Sequence, residues 1–348
     1  MQERNPYVIS FGRIPNQYIS RSLVINSIID SLESEVVEEQ AYKLTGIRGT
    51  GKTVTMTAIE KEIKKNDSWI VVGLSSNSNI LEDLVANLYS AVPFITTFVD
   101  TSLNLSKFGI GLNISSKSPV ATLDYALKQI LTEIQRKKKR VLITIDEARK
   151  TPAMIEFIQE FQLLIREEFP IYLIVAGLYE DIERIENAEG LTFFMRATKY
   201  EMPPLNHTII RSDYQKTLGV SLEVAEEMAF ITKGYAFAYQ ALGKYMWDSG
   251  SKIVTEEVLS LLDEALAEKV YRKIWDELSP RDRFFLQYIA QKDKMSAVEL
   301  LEMTSKNHSE WSEPRKRLSE KGIINTKARG EISVQLPRLK EFVEQYIM

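Results

Sequence analysis

Cysteine is absent from the 348 residues, so the chain has neither a disulfide framework nor a thiolate metal site. The two histidines, His207 and His308, stand about a hundred positions apart with no ligand spacing around either, and no zinc site is expected. No apolar stretch approaches the ~20 residues that cross a bilayer. The opening Met1-Gln2-Glu3-Arg4-Asn5-Pro6 has no apolar core and no small-residue cleavage site. A cytoplasmic location without membrane insertion is therefore expected. Internal repeats, low-complexity tracts and long Pro/Gly linkers are missing too, which leaves changes of hydrophobic period to mark boundaries.

What is present is the composition of a globular chain, 44% apolar and 26% charged, and long enough for more than one packed unit. The net charge of -4 is unevenly spread: from residue 279 onward 13 Lys and Arg face 10 Asp and Glu. The basic end is where contact with a polyanion would lie.

The first half alternates short apolar runs with helix-period segments. Residues 41–44, 69–74, 141–145 and 171–176 read as buried strands. Leu123, Leu127, Ile130, Leu131 and Ile134 form one helical stripe, and Met154, Phe157, Ile158, Phe161, Leu164 and Ile165 another. Such alternation predicts an α/β fold, a parallel sheet flanked by helices, over residues 1–204. Residues 224–231, 239–247 and 258–270 read as helices of a lid spanning 205–278. From Ser279-Pro280 onward, three short helices over 281–291, 297–303 and 310–321 precede two strands, 323–326 and 331–335, around Arg329-Gly330. That order predicts a winged helix-turn-helix over 279–348.

Within the first region, Gly46-Ile47-Arg48-Gly49-Thr50-Gly51-Lys52-Thr53 sits between a strand and a helix. Glycines let successive backbone amides turn inward around an anion, Lys52 reaches the β and γ phosphates, and the Thr53 hydroxyl suits Mg²⁺. A chance match in a chain of this length has odds of roughly one in a hundred. Gly46, Ile47, Arg48, Gly49, Thr50, Gly51, Lys52, Thr53 and Val54 are accordingly the expected ATP/ADP-binding residues. About ninety residues later, Val141-Leu142-Ile143-Thr144-Ile145-Asp146-Glu147 ends an apolar strand in two carboxylates. An ordinary helix cap is one reading of the pair. The other assigns Asp146 to the Mg²⁺ through water and Glu147 to the proton of the attacking water.

These residues resemble the AAA+ P-loop ATPases, within them the origin-recognition and replication-initiator branch that includes bacterial and archaeal mobile-element ATPases. The resemblance implies an ATPase cycle and a C-terminal winged helix on DNA. In "NPYVISFGRIPNQYISR" it places Ile19, Ser20 and Arg21 near the adenine, and in "GLTFFMRATKYEMPPL" it makes Arg196 the candidate arginine finger, with a structural ion pair as the other reading of Arg196. Two family features are missing. "IYLIVAGL" offers only Ala176 and Gly177 where a polar sensor is usual, and "KGYAFAYQALG" has Phe237 and no arginine. Slow or partner-stimulated hydrolysis and ATP-dependent homo-oligomerisation follow as expectations.

For DNA, the expected contacts are Arg315, Lys316 and Arg317 on the last helix and Lys327 and Arg329 at the wing. Glu310, Glu313 and Glu320 share that helix, so a solvated or protein-docking face stays open. The alternative as a whole is a signalling or defence NTPase of the STAND kind, in which the winged helix regulates the pocket and the partner is a protein. An end at Met348 modestly favours the DNA reading.

Overall fold

The computed structural model describes residues 4–10, 15, 17–35, 39–76, 79–91, 123–292, 294–326 and 330–347. It divides into two compact units: Ser22–Thr45 with Thr55–Glu201, and Met1–Arg21 with Gly46–Val54 and Met202–Met348.

The first unit is built on a five-stranded parallel sheet: β1 (Ala41–Thr45), β2 (Trp69–Ser75), β3 (Arg140–Asp146), β4 (Ile171–Gly177) and β5 (Thr198–Glu201), in the order β2-β3-β4-β1-β5. Every residue of β4 is buried, as a central parallel strand covered on both faces requires. The helices are α1 (Ser22–Glu33), α2 (Lys52–Ile63), which follows the glycine loop, α3 (Ile80–Ala91), α4 (Leu123–Arg136), α5 (Pro152–Arg166), α6 (Tyr179–Glu186) and α7 (Thr192–Arg196). The stripes Leu127, Ile130, Ile134 and Phe157, Phe161, Leu164 close over Val141, Ile143 and Val175 in one apolar cluster. Four strands match the sequence reading to within a residue at each end. The edge strand β5, Thr198-Lys199-Tyr200-Glu201, escaped it because a half-exposed strand of polar residues carries no apolar run.

In the second unit α8 (His207–Leu218), α9 (Leu222–Thr232), α10 (Ala236–Ser249) and α11 (Glu256–Leu266) follow in succession. Asn206, Ser221 and Thr255 cap α8, α9 and α11. The helix expected over 258–270 instead passes into a π turn at Ala267–Tyr271 before α12 (Arg272–Asp276). Then come α13 (Pro280–Ile289), β6 (Lys294–Ser296), α14 (Ala297–Thr304), α15 (His308–Glu320), β7 (Ile324–Asn325), β8 (Glu331–Val334) and α16 (Leu339–Tyr346). The three strands form an antiparallel sheet in the order β6-β8-β7. The sequence reading missed α8, α16 and the three-residue β6, which is too short to alternate. One apolar cluster runs from Tyr214 and Tyr239 through Leu262 and Trp275 to Phe285, Trp311 and Phe342. Among the described residues no helix is long and apolar enough to cross a membrane.

Candidate functional site

The glycine loop adopts the backbone its composition anticipates. Gly49 and Gly51 have φ of +76° and +88°, a left-handed conformation that L side chains rarely adopt. The Lys52 ammonium donates to the carbonyls of Gly46 at 2.8 Å and Ile47 at 3.1 Å, and the Thr50 hydroxyl donates to Ile47 O at 2.8 Å. α2 starts at Lys52, so Thr53 stands in its first turn, at the positive end of the helix dipole. Glycines forced to positive φ, a lysine and a helix start suit a polyphosphate, and a Thr hydroxyl at that place suits a hard cation.

Two residues of "KGYAF" cover this loop: Phe237, noted in the sequence only as standing where an arginine is usual, and Tyr235, which the sequence reading did not single out. The Tyr235 hydroxyl donates to Arg48 O, and the Phe237 amide donates to Gly49 O at 3.0 Å. A Cβ added at Gly49 would lie 2.8 Å from the Tyr235 ring, so close approach as well as φ fixes glycine there. Burial pushes the Tyr235 phenol far above its ordinary range. The Arg48 guanidinium pairs with Glu277 at 2.8 Å. The signal for Tyr235 lay in "KGYAF": Gly234, at φ +73°, accepts the Leu205 amide at 2.8 Å, and a Cβ there would clash with Leu205 O at 2.7 Å.

The N-terminal segment is tied to the same helices by a polar hub at Asp213. Tyr7 and Tyr239 donate their hydroxyls to Asp213 Oδ2 at 2.9 and 2.6 Å, and Gln17 donates to Oδ1. Gln240 bridges Val8 N and Gln17 O. Burial, and then the Asp213 charge, hold the Tyr7 phenol well above its usual range. Downstream of this anchor, Ile19 packs against the apolar cluster of the unit. The half-buried Arg21 donates to Pro203 O from Nε at 3.3 Å and Nη2 at 3.2 Å.

In the sheet unit, the acidic pair stands where β3 ends. The helix-cap reading does not apply, because α5 begins at Pro152 and Thr151 caps it. Asp146 Oδ1 accepts the Glu147 amide at 2.8 Å, and Glu147 is exposed at φ +50°, a strained setting for a side chain at the head of a strand. Two bonds hold that bend: Ser76 donates to Glu147 O at 3.0 Å, and Ala148 N donates to Ala176 O at 2.9 Å. Thr144, one turn of the pleat earlier, donates to Glu60 of α2 at 2.6 Å. The missing sensor beyond β4 has a steric reason: a Cβ on Gly177 would meet Ala148 O at 3.1 Å and Ile182 at 3.0 Å.

Arg196 closes α7 and is exposed, and among the described residues no ion pair engages it. The carbonyls of Phe194 and Met195 just before it accept the buried Lys43 ammonium, at 2.8 and 3.2 Å. At the other end of the chain, Arg315 and Lys316 are exposed, with Glu320 3.9 Å from Lys316. Arg317 turns inward instead, bonding both oxygens of buried Asp282 with a shortest contact of 2.6 Å. Lys327 and Arg329 lie outside the described residues.

Known structures resemble this arrangement over nearly its whole length. The Walker-type ATPase PABY2304 of Pyrococcus abyssi superposes with a TM-score of 0.66 at 15% identity, over 93% of this chain and 95% of that one. The Aeropyrum pernix ORC2 protein, solved as ADPNP–ADP complexes, gives 0.61 at 14%, over 97% and 96%. The chain shares their fold. Cdc6p from Pyrobaculum aerophilum gives 0.51 at 16% identity, over 97% and 96%. A family model described as Domain of unknown function (DUF8462) matches residues 268–343, which run from the π turn to α16. No curated protein matches the sequence.

Proposed function

We propose that this protein is an AAA+ switch of the initiator-like kind that binds ATP with Mg²⁺, hydrolyses it slowly, and engages duplex DNA through its C-terminal module. The observation that carries the reading is the glycine loop, with left-handed Gly49 and Gly51 ahead of Lys52 and the start of α2. Structures that share the fold include a Walker-type ATPase and a protein solved with ADPNP and ADP. In this reading Lys52 and the loop amides hold the phosphates, Thr53 and Asp146 serve the metal, Glu147 orients and deprotonates the attacking water, and Arg196 reaches a neighbouring subunit's nucleotide. Mg²⁺ would neutralise charge developing on the phosphates.

The three helices and antiparallel β6-β8-β7 sheet at the C-terminus support a winged-helix assignment, with α15 as the groove-facing helix and Arg315 and Lys316 as its phosphate contacts. The setting that fits is replication or transposition of a mobile element in the cytoplasm. A calorimetric titration with Mg-ATP tests the core: Lys52→Ala abolishes uptake, while Glu147→Gln keeps uptake and loses turnover. Full hydrolysis by Glu147→Gln removes that residue from the mechanism. Turnover and light scattering with and without duplex DNA test the rest, with acceleration and assembly expected. Arg315→Ala with Lys316→Ala should lower the slope of log affinity against log salt by about two.

One observation favours a second reading, a STAND-like NTPase regulated from its C-terminal side with a protein partner. Arg48 of the loop pairs with Glu277, which lies directly after α12 and before the C-terminal module. Indifference of both turnover and assembly to DNA would favour it.

A further inference from the structure

Arg21 is a half-buried guanidinium bonded to a backbone carbonyl, Pro203 O, and among the described residues no carboxylate pairs with it. Its Nη1 lies against the last glycine of the loop, so close that a Cβ on Gly51 would come within 3.0 Å of it. Lys52 follows in the chain. Two cations beside one glycine loop, at the positive end of α2, repel one another and the helix dipole unless an anion lies among them. Among the described residues that contact the loop, Phe237 engages Gly49 O through its amide and Arg48 is already paired with Glu277. The segment that delivers Arg21 is anchored at Asp213 through Tyr7 and Gln17, so the guanidinium is held in place before any ligand arrives. Burial lowers Arg21 to about 10, which still leaves it charged at neutral pH.

We propose that Arg21 binds the polyphosphate of the nucleotide rather than its base, supplying from the N-terminal segment the cation that the lid lacks. The inference rests on the nucleotide reading above and goes beyond it in assigning the arginine its ligand chemistry. A planar fork two of whose nitrogens are spent on Pro203 O presents Nη1 to an anion on the Gly51 side.

The test measures affinities of the full chain for ATP, GTP and tripolyphosphate, each with Mg²⁺, for the natural protein, Arg21→Gln and Arg21→Lys, after confirming unchanged melting temperatures. Arg21→Gln should weaken ATP and tripolyphosphate by the same factor, about 10- to 100-fold, the range for a hydrogen bond to a charged group. The preference for ATP over GTP should stay. Arg21→Lys restores part of the tripolyphosphate affinity, which a structural role through the Pro203 fork would not allow. The inference is overturned if Arg21→Gln erodes the ATP-over-GTP preference and spares tripolyphosphate, or changes nothing. Failure of the natural protein to take up ATP overturns the nucleotide reading itself and is seen before any variant is made.

Discussion

Replacing Lys43 by Met tests how the sheet unit holds the end of α7. The Lys43 side chain is 1% exposed, on a strand whose every residue is buried. Its ammonium bonds Glu186 Oε1 at 2.7 Å, Phe194 O at 2.8 Å and Met195 O at 3.2 Å, and sits 5.2 Å from the centre of the Phe194 ring. Desolvation lowers its pKa, and the bond to Glu186 opposes this. Methionine fills the stem volume but leaves a largely buried carboxylate, 12% exposed, whose remaining cation among the described residues is Lys199 at 3.9 Å; it also takes the ammonium from Met195 O and leaves Phe194 O with the Ala197 amide at 3.3 Å. Breaking a buried pair from one side costs about 3–5 kcal/mol. Lys199 recovers some of that, so about 3 kcal/mol is expected. For a unit of this size that is a fall in melting temperature of roughly 6–12 °C. Trp69, the one tryptophan of the sheet unit, reports it by fluorescence. Adding Glu186→Gln should recover part of the loss, since it removes the stranded charge but does not restore the bonds the ammonium made to the Phe194 and Met195 carbonyls. A shift under about 2 °C for Lys43→Met would refute the account, because it would mean that the ammonium contributes nothing beyond its stem.

Glu147→Gly should leave stability within about 0.5 kcal/mol of the natural chain in urea titration, since relief at φ +50° offsets the added freedom of the unfolded chain, whereas Glu147→Val should cost more than about 1 kcal/mol. Glu160, on α5, has its pKa raised by burial and then by Asp124, with Lys128 opposing and Glu167 adding, and its Oε1 is buried without a partner. A carboxyl raised above its unfolded value stabilises below that value, ~4.3, and loses the contribution as pH rises through the folded one. Glu160→Gln should therefore raise the melting temperature at pH 7 and not at pH 4, and equal effects at both would refute the assignment. Arg317→Ala strands Asp282, which is 2% exposed, and should cost on the order of 2–4 kcal/mol, against under about 0.5 for Arg315→Ala, measured by chemical unfolding.

The glycine loop and the four apolar strands were legible because their signals are local: a spacing of glycines, or a run of side chains with one period. The buried face of α4 likewise stood in the sequence as Leu127, Ile130 and Ile134. What was not legible depends on pairs far apart in the chain. Nothing near Arg317 announces that Asp282, 35 positions earlier, takes its charge inward and leaves Arg315 and Lys316 as the exposed cations of that turn. The left-handed bend at Glu147 is set by Ser76 and Ala176, which lie on other strand ends. Tyr7, Gln17, Asp213 and Tyr239 meet only because the N-terminal segment returns to the helices of its unit. The absent sensors, by contrast, were visible as absences, and the structure adds a tight setting at Gly177, where a Cβ would press on Ala148 O and Ile182.

The contacts on the glycine loop also bound how strongly a bound nucleotide can be felt at the C-terminal module. Arg48–Glu277 is a partly exposed ion pair, worth at most about 1 kcal/mol. The Tyr235 hydroxyl on Arg48 O and the Phe237 amide on Gly49 O add about 1 kcal/mol each. If nucleotide uptake broke all three, the lid would respond with about 3 kcal/mol, and a ligand shifts an equilibrium by no more than its differential interaction with the two states. That is roughly 150-fold, the upper end of ordinary coupling between sites. Loop, lid and C-terminal module belong to one compact unit, and Ile47 and Phe237 pack against the apolar cluster that contains Phe285 of α13, which gives such an effect a continuous path. It suffices to shift a balance between two states by two orders of magnitude, and not to drive one from 1:99 to 99:1, which takes ≈ 5.5 kcal/mol. Under the function proposed above, a switch of this strength is completed by a partner, DNA or another subunit.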